Sequence, residues 1–214
     1  MTSTLRERIE RHPVVAILRG VRPEEVVAIV EALLAEGIRI VEIPLNSPSP
    51  LRSIEAVARA LGDEATGEVT IGAGTVLDVA GVDAAHAAGA RFVVAPNCNP
   101  AVVRRALALG IEPLPGVATP TEAFAALDAG ARLLKLFPAD VLGAATLKAW
   151  RSVLPDDAAL IPVGGVMPDN LAAFRAAGAL AFGIGSALYK PGDAPEAVRA
   201  RAREFVAAER AARG

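Results

Sequence analysis

The chain has 214 residues, 53% of them hydrophobic, and a formal net charge of −2 from 22 basic and 24 acidic side chains. That length carries one large domain with a substantial core, and the near balance of charge excludes both the basic face of a nucleic-acid binder and a polybasic membrane patch. No apolar run approaches the ~20 residues needed to cross a bilayer, so neither nucleic acid nor membrane is expected as a partner.

The N-terminal stretch "MTSTLRERIERHP" alternates polar and charged residues. It lacks the continuous apolar segment of a secretory signal and predicts a short amphipathic helix. The single cysteine, Cys98, has no partner for an internal disulfide, which makes the cytoplasm the expected location. The two histidines, His12 and His86, lie far apart without Cys, Asp or Glu at ligand spacing, so no metal and no other cofactor is expected.

Beyond this helix one phrase recurs: "LLAEGIRIVEI", "HAAGARFVVAP", "LALGIEPLPG", "LDAGARLLKLF" and "RAAGALAFGIG". Each is an Ala/Leu-rich helical end, then a glycine, then a short apolar run. The glycines (Gly37, Gly89, Gly110, Gly130, Gly178) recur at about 20 to 26 residues or twice that, the period of a βα repeat whose helices end in a left-handed glycine. Strands are predicted at "VVAIL", "IRIVEIPL", "VTIGAGT", "FVVAP", "EPLPGVA", "LLKLFP", "ALIPVGG" and "AFGIGS". The helices between them open on Pro, Ser, Asp or Thr, as in "RPEEVVAIVEALLAE" and "TPTEAFAALDA".

Strands this continuously apolar suit a parallel sheet buried on both faces. The βα count predicts an α/β fold, a single (β/α)8 TIM barrel with a short N-terminal helix. An open doubly wound sheet is the structural alternative. No linker or shift of composition divides the chain, so residues 1–214 are expected to form one domain.

In such a barrel the active site gathers at the C-terminal ends of the strands, which directs attention to polar residues in or just after the apolar runs. Lys135 in "LLKLFP" shares strand parity with Leu133 and Phe137, and neither face of a buried strand offers its ammonium water. Desolvation favours the neutral amine, a nucleophile able to form a Schiff base with a carbonyl carbon. A structural lysine paired with a carboxylate is the plainer reading. Glu42 in "VEIPLNSP" meets the same objection to burial; it is either an ion-pair partner of Lys135 or Arg19, or a general acid/base. A lysine plus one carboxylate is the minimum equipment for metal-free aldol chemistry.

Around that pair, Gly72, Ala73 and Gly74 of "IGAGT" leave room for a ligand, and Thr75 offers a hydroxyl to a carboxylate. Tight packing alone also accounts for the small residues. Arg19 can grip a carboxylate or substrate oxygens, or pair with Glu42. After the last two strands, Gly164 and Gly165 in "PVGGVMPDN" and Gly185 and Ser186 in "FGIGS" form the kind of glycine turn that binds phosphate through backbone amides. Cys98, His86 and Trp150 read as packing or surface residues.

The ordered markers "VVAILRG", "VEIPLNSP", "IGAGTV", "FVVAPN", "LLKLFP" and "VGGV" resemble the class I 2-keto-3-deoxy-6-phosphogluconate/4-hydroxy-2-oxoglutarate aldolases, over nearly the whole chain. The resemblance implies cleavage of a phosphorylated 2-keto-3-deoxy sugar acid to pyruvate and glyceraldehyde 3-phosphate by a homotrimer of TIM barrels. It implies that Lys135 carries the Schiff base and Glu42 moves protons. Arg19 and Thr75 would hold the pyruvyl portion, Pro96 and Phe137 would line its pocket, and Gly164, Gly165 and Ser186 would receive the phosphate.

The gluconate branch of that family usually has an arginine four residues after the glutamate and a threonine before the glycine pair. Here Asn46 and Val163 occupy those positions, which resembles the galactonate branch. A change at a substrate hydroxyl contact shifts stereochemical preference without making it exclusive, so the gluconate epimer, or both epimers, remains the alternative. Two other classes stay open from the residues alone: a sugar-phosphate isomerase or epimerase in which Lys135 only stabilises charge, and a non-catalytic barrel that senses phosphorylated metabolites.

Overall fold

The βα alternation marked by the recurrent glycine organises the whole chain, of which a computed structural model describes residues 4–62 and 69–213. In chain order the elements are α1 (Leu5–Arg11), β1 (Val14–Ile17), α2 (Val26–Ala35), β2 (Ile40–Pro44), α3 (Pro50–Leu61), β3 (Thr70–Gly74), α4 (Val79–Ala87), β4 (Phe92–Val94) and α5 (Pro100–Ala108). They continue with β5 (Glu112–Leu114), β6 (Gly116–Val117), α6 (Pro120–Asp128), β7 (Leu133–Leu136), α7 (Ala139–Arg151), β8 (Ala159–Pro162), α8 (Leu171–Ala176), β9 (Phe182–Ile184) and α9 (Pro195–Arg213). All five glycines of the recurrent phrase take left-handed φ values, from 72° at Gly110 to 108° at Gly130.

Local chemistry sets the helix starts. Thr4 with Glu7, and Thr119 with Glu122, form reciprocal capping boxes at α1 and α6. Proline opens α3, α5 and α6, where its missing N–H would have had no helical partner. The fifth predicted strand is two pieces, β5 and β6, because Pro115 between them has no N–H for the ladder. Its carbonyl still accepts from Lys135 N at 2.9 Å, so the neighbouring strand stays in register.

Every strand pair is parallel. Six strands run in the order β5-β4-β3-β2-β1-β9 and three in the order β6-β7-β8. A parallel bridge between Val163 and Gly183, with Leu180 N donating to Leu160 O at 3.0 Å, connects β8 to β9. On the other side, Gly116 N donates to Asn97 O at 3.2 Å. The result is an α/β fold built on a curled parallel sheet. No helix among the described residues is long and apolar enough to cross a membrane.

The curl separates two apolar layers. Ala16, Val41, Ile43, Ile71, Leu134 and Leu136 pack outward against the helices. Val15, Ile17, Ile40, Phe92, Leu133 and Ile161 pack together on the concave side, joined by Leu5 and Ile9 of α1. Helix α1 therefore lies under the N-terminal ends of the strands, where Arg8 Nη1 also donates to Thr70 Oγ1 at 3.0 Å. Leu133 lies in the inner layer and its neighbour Leu134 in the outer one. Strand alternation then puts Lys135 on the inside, and Ile40 does the same for Glu42.

Candidate active site

Lys135 and Glu42 are 6% and 2% exposed, on the concave side above the apolar layer. Glu42 stands opposite Ile17 on β1 and Gly72 on β3; Lys135 stands opposite Gly116 on β6 and Ile161 on β8. Burial pushes the Lys135 amine below its ordinary range, against the attraction of Glu42 and with the help of Arg19. Burial likewise pushes the Glu42 carboxyl up, opposed by the Lys135 and Arg19 charges. The two groups are thus close enough to act on each other, and both are driven toward their neutral forms. Glu42 Oε1 is fully buried and accepts no hydrogen bond among the described residues. An acceptor left open at that cost is a place for a ligand's proton or hydroxyl.

Glycines create the room. A methyl at Gly74 would lie 1.7 Å from Glu42 Oε1, and one at Gly72 would meet the Phe92 ring at 2.5 Å. Phe92 fills the level below and Glu42 the level above. The small residues of "IGAGT" therefore make space for two specific side chains. On the lysine side, Nζ lies 4.8 Å from the centroid of the Phe137 ring, whose face supplies a cation or polar amine with a weak attraction.

Arg19 lies two residues past β1 and its exposed guanidinium donates from Nη1 to Asn46 Oδ1 at 2.6 Å. The next residue repeats the link: Gly20 N donates to Ser47 Oγ at 2.9 Å. Thr75, just past β3, is a half-buried residue with a left-handed φ of 55°, a strain that L-residues accept when surroundings impose it. Pro96 and Phe137 are half-buried after β4 and β7, and Val163 is buried at the β8 to β9 bridge. All of these lie at the C-terminal ends of their strands.

The glycine turns lie at the same end. Gly164 and Gly165 both have left-handed φ values (96° and 65°), and a methyl at Gly165 would collide with Asp140 at 2.3 Å. Carbonyls of this loop accept the first amides of α7, Ala139 N to Val163 O and Asp140 N to Gly164 O. The N–H groups of Gly164, Gly165 and Ser186 donate to no acceptor among the described residues. Gly185 faces open space and Ser186 is exposed.

A family model described as aldolase, KDPG and KHG aldolase, matches residues 5–198. The chain belongs to that aldolase family. Two curated relatives of the KDPG and KHG aldolase chain are similar over almost their full length. One is a probable 2-dehydro-3-deoxy-6-phosphogalactonate aldolase of Rhizobium meliloti (strain 1021), 49% identical over 92% of this chain and 91% of its own. The other is the 2-dehydro-3-deoxy-6-phosphogalactonate aldolase of Escherichia coli (strain K12), 47% identical over 94% and 96%. A solved native KDPGal structure superposes with a TM-score of 0.90 at 46% identity, covering 94% of this aldolase and 95% of that chain.

Two residues that brace loops of the candidate site escaped the sequence reading. Asn170 braces the glycine turn, with Nδ2 donating to Gly165 O at 2.8 Å and Oδ1 accepting from Met167 N at 2.9 Å. The "PDN" after the glycine pair is a side-chain turn signal that could have flagged it. Ser47, 7% exposed, had no signal beyond being a hydroxyl in a loop. Trp150, expected as a packing or surface residue, is buried in the outer core.

Proposed function

We propose that this aldolase cleaves 2-dehydro-3-deoxy-6-phospho-D-galactonate to pyruvate and D-glyceraldehyde 3-phosphate, through a Schiff base on Lys135. The observation that carries the reading is the buried pair: an amine and a carboxyl on the concave side, each driven toward neutrality, the carboxyl with an unused oxygen. A neutral amine attacks the C2 ketone, and loss of water leaves a protonated imine. In its carboxylate form Glu42 takes the proton of the C4 hydroxyl. The C3–C4 bond then breaks, its electron pair flows into the imine, and the aldehyde departs. Protonation of the enamine at C3 from Glu42 gives the pyruvate imine, which water hydrolyses to free the lysine.

The remaining roles rest on placement. Arg19 and Thr75 hold the carboxylate end, with Pro96 and Phe137 walling the pyruvyl pocket. Unspent N–H groups at Gly164, Gly165 and Ser186, with Gly185 open beside them, suit the acceptor oxygens of a phosphate. Val163 leaves an apolar wall at the substrate hydroxyl, and the names of both relatives above support the galactonate epimer. The reading includes a closed barrel of eight βα units in one domain, supported by the Val163–Gly183 bridge and the Gly116 to Asn97 bond. It also includes a homotrimer, for which exposed apolar side chains such as Val141, Leu77 and Phe124 provide candidate contact surface.

Borohydride with pyruvate tests the chemistry, because the chain has three lysines and Lys148 and Lys190 are exposed. A reduced pyruvyl adduct at Lys135 and loss of turnover are expected. An adduct at either exposed lysine, or activity that survives trapping, overturns the mechanism. For the substrate, kcat/KM for the galactonate epimer should exceed that for the gluconate epimer; the reverse order overturns the assignment.

A further inference from the structure

At the opposite end of the strands, roughly 20 Å from Arg19 by the rise of β1, the structure holds a second recess. It has a volume of about 130 Å³ and includes Arg11, His12, Gly37, Glu209, Arg210 and Arg213 in its lining. That is room for several waters at ~30 Å³ each, hence for a phosphate-sized ion.

Its charge is lopsided. The buried Glu209 is the one acidic residue in the lining, and its Oε1 is shared between Arg175 Nη2 and Arg213 Nε, each at 2.6 Å. The guanidinium groups are not fully used. Arg11 uses Nε on the Glu7 carbonyl, Arg213 uses Nε on Glu209 and Nη2 on the Glu10 carbonyl, and Arg210 makes no hydrogen bond or ion pair among the described residues. Each guanidinium has five N–H donors, so most of those facing the recess remain available. Basic residues in a last helical turn are an ordinary complement to the helix dipole, worth ~0.3–1 kcal/mol each. That accounts for a cation at the end of α1 or of α9. It does not account for three arginines from two helices around one recess.

We propose that this recess binds a phosphate-sized oxyanion, either free phosphate or the phosphate group of a small metabolite. Arg11, Arg210 and Arg213 are its ligands, and it braces α1 against α9 beneath the sheet. The proposal is independent of the chemistry assigned to Lys135.

His12 gives a readout from inside the recess. It is half-buried, with the Gly37 backbone beside it favouring its protonated form. Burial holds its pKa below the ordinary value, and the charges of Arg39 before β2, Arg11 on α1 and Arg213 on α9 add to that. A bound dianion among these cations reverses their effect. With only two histidines in the chain, the imidazole NMR signal of His12 can be followed by itself.

The experiment compares titrations of the whole protein in phosphate and in chloride at equal ionic strength. The His12 midpoint should rise saturably in phosphate by about one pH unit, the scale of a nearby opposite charge. Arg210→Gln should abolish the rise, and Arg11→Gln serves if that variant does not fold. Phosphate held at the distant glycine turns does not reach His12. Glycerol 3-phosphate in place of phosphate tells whether a monoester also enters. An equal His12 midpoint in both salts, or an undiminished rise in the arginine variants, overturns the proposal.

Discussion

Gly74→Ala is the sharpest perturbation of the proposed site, because it moves a catalytic group without removing it. The added methyl would sit 1.7 Å from Glu42 Oε1, 2.5 Å from Cδ and 2.8 Å from Cγ. Gly74 does not need glycine for its backbone, since its φ is not left-handed. The conflict is therefore confined to space. Strand β3 is held against β2 through five registered pairs, from Ile40 with Thr70 to Pro44 with Gly74. The ladder resists parting, so the carboxylate yields. Overpacking of this kind costs ~1–3 kcal/mol of stability, which at ~2–4 °C per kcal/mol lowers Tm by about 2 to 12 °C. Shifting a reacting group by on the order of 1 Å costs ~100-fold in rate. Two assays separate the halves of the site: exchange of pyruvate methyl protons, which needs Glu42, and borohydride trapping, which needs Lys135. Exchange should fall about 100-fold while trapping changes only a few fold. Gly72→Ala is the control, since its methyl strikes Phe92, so it should lose stability without that selective loss of exchange. Wild-type exchange in a folded Gly74→Ala protein would refute the placement of Glu42.

The pair should also respond to its neighbours' charges. Trapping by pyruvate needs the neutral amine, so its rate should rise with pH through the Lys135 midpoint, itself below the ordinary lysine value. Because Glu42 raises that midpoint and Arg19 lowers it, Glu42→Gln should shift it to lower pH and Arg19→Met to higher pH, as measured by trapping rate against pH. Shifts in the opposite directions would mean that the charges do not act on the amine as described. Far from the site, Glu209→Ala removes the carboxylate partner of the Arg175 guanidinium, which lies 4.7 Å from the Phe182 ring centroid and would keep only its bonds to the Ala179 and Leu180 carbonyls. Breaking such a pair from one side costs ~3–5 kcal/mol, readable as a lower urea midpoint at constant slope. An unchanged midpoint would show that the ion pair contributes nothing.

Much of this architecture was legible in the sequence because its signals are local. A left-handed glycine after α2, α4, α5, α6 and α8 marked the repeat, and Pro, Thr and Asp marked helix starts, so the strand windows fell where predicted. The break at Pro115 was legible too, as a proline inside an apolar run, yet the fifth run was read as one strand. Which parity of a doubly buried strand faces inward was not legible. "LLKLF" is equally apolar on both sides, and only the assembled sheet, with Leu133 concave and Leu134 convex, decides where Lys135 points.

The same limit hid the partnerships across strands. That Gly74 makes room for Glu42, and Gly72 for Phe92, depends on register, which no single strand encodes. This gives the small residues of "IGAGT" a second reason to be small. Their lack of side chains leaves room for neighbouring ones, and these fill the concave side in layers: Leu5 and Ile9 below, Phe92 at mid-height, Glu42 and Lys135 above. Apolar packing beneath and strand backbone around deny water to both ionisable groups. It is this exclusion, more than contact between them, that turns an ordinary lysine and glutamate into a candidate nucleophile and proton carrier. A variant that opens the lower layers, such as Phe92→Ala, should therefore move the Lys135 midpoint back up while leaving both groups in place. If the midpoint does not move in that variant, exclusion of water from below is not what depresses it.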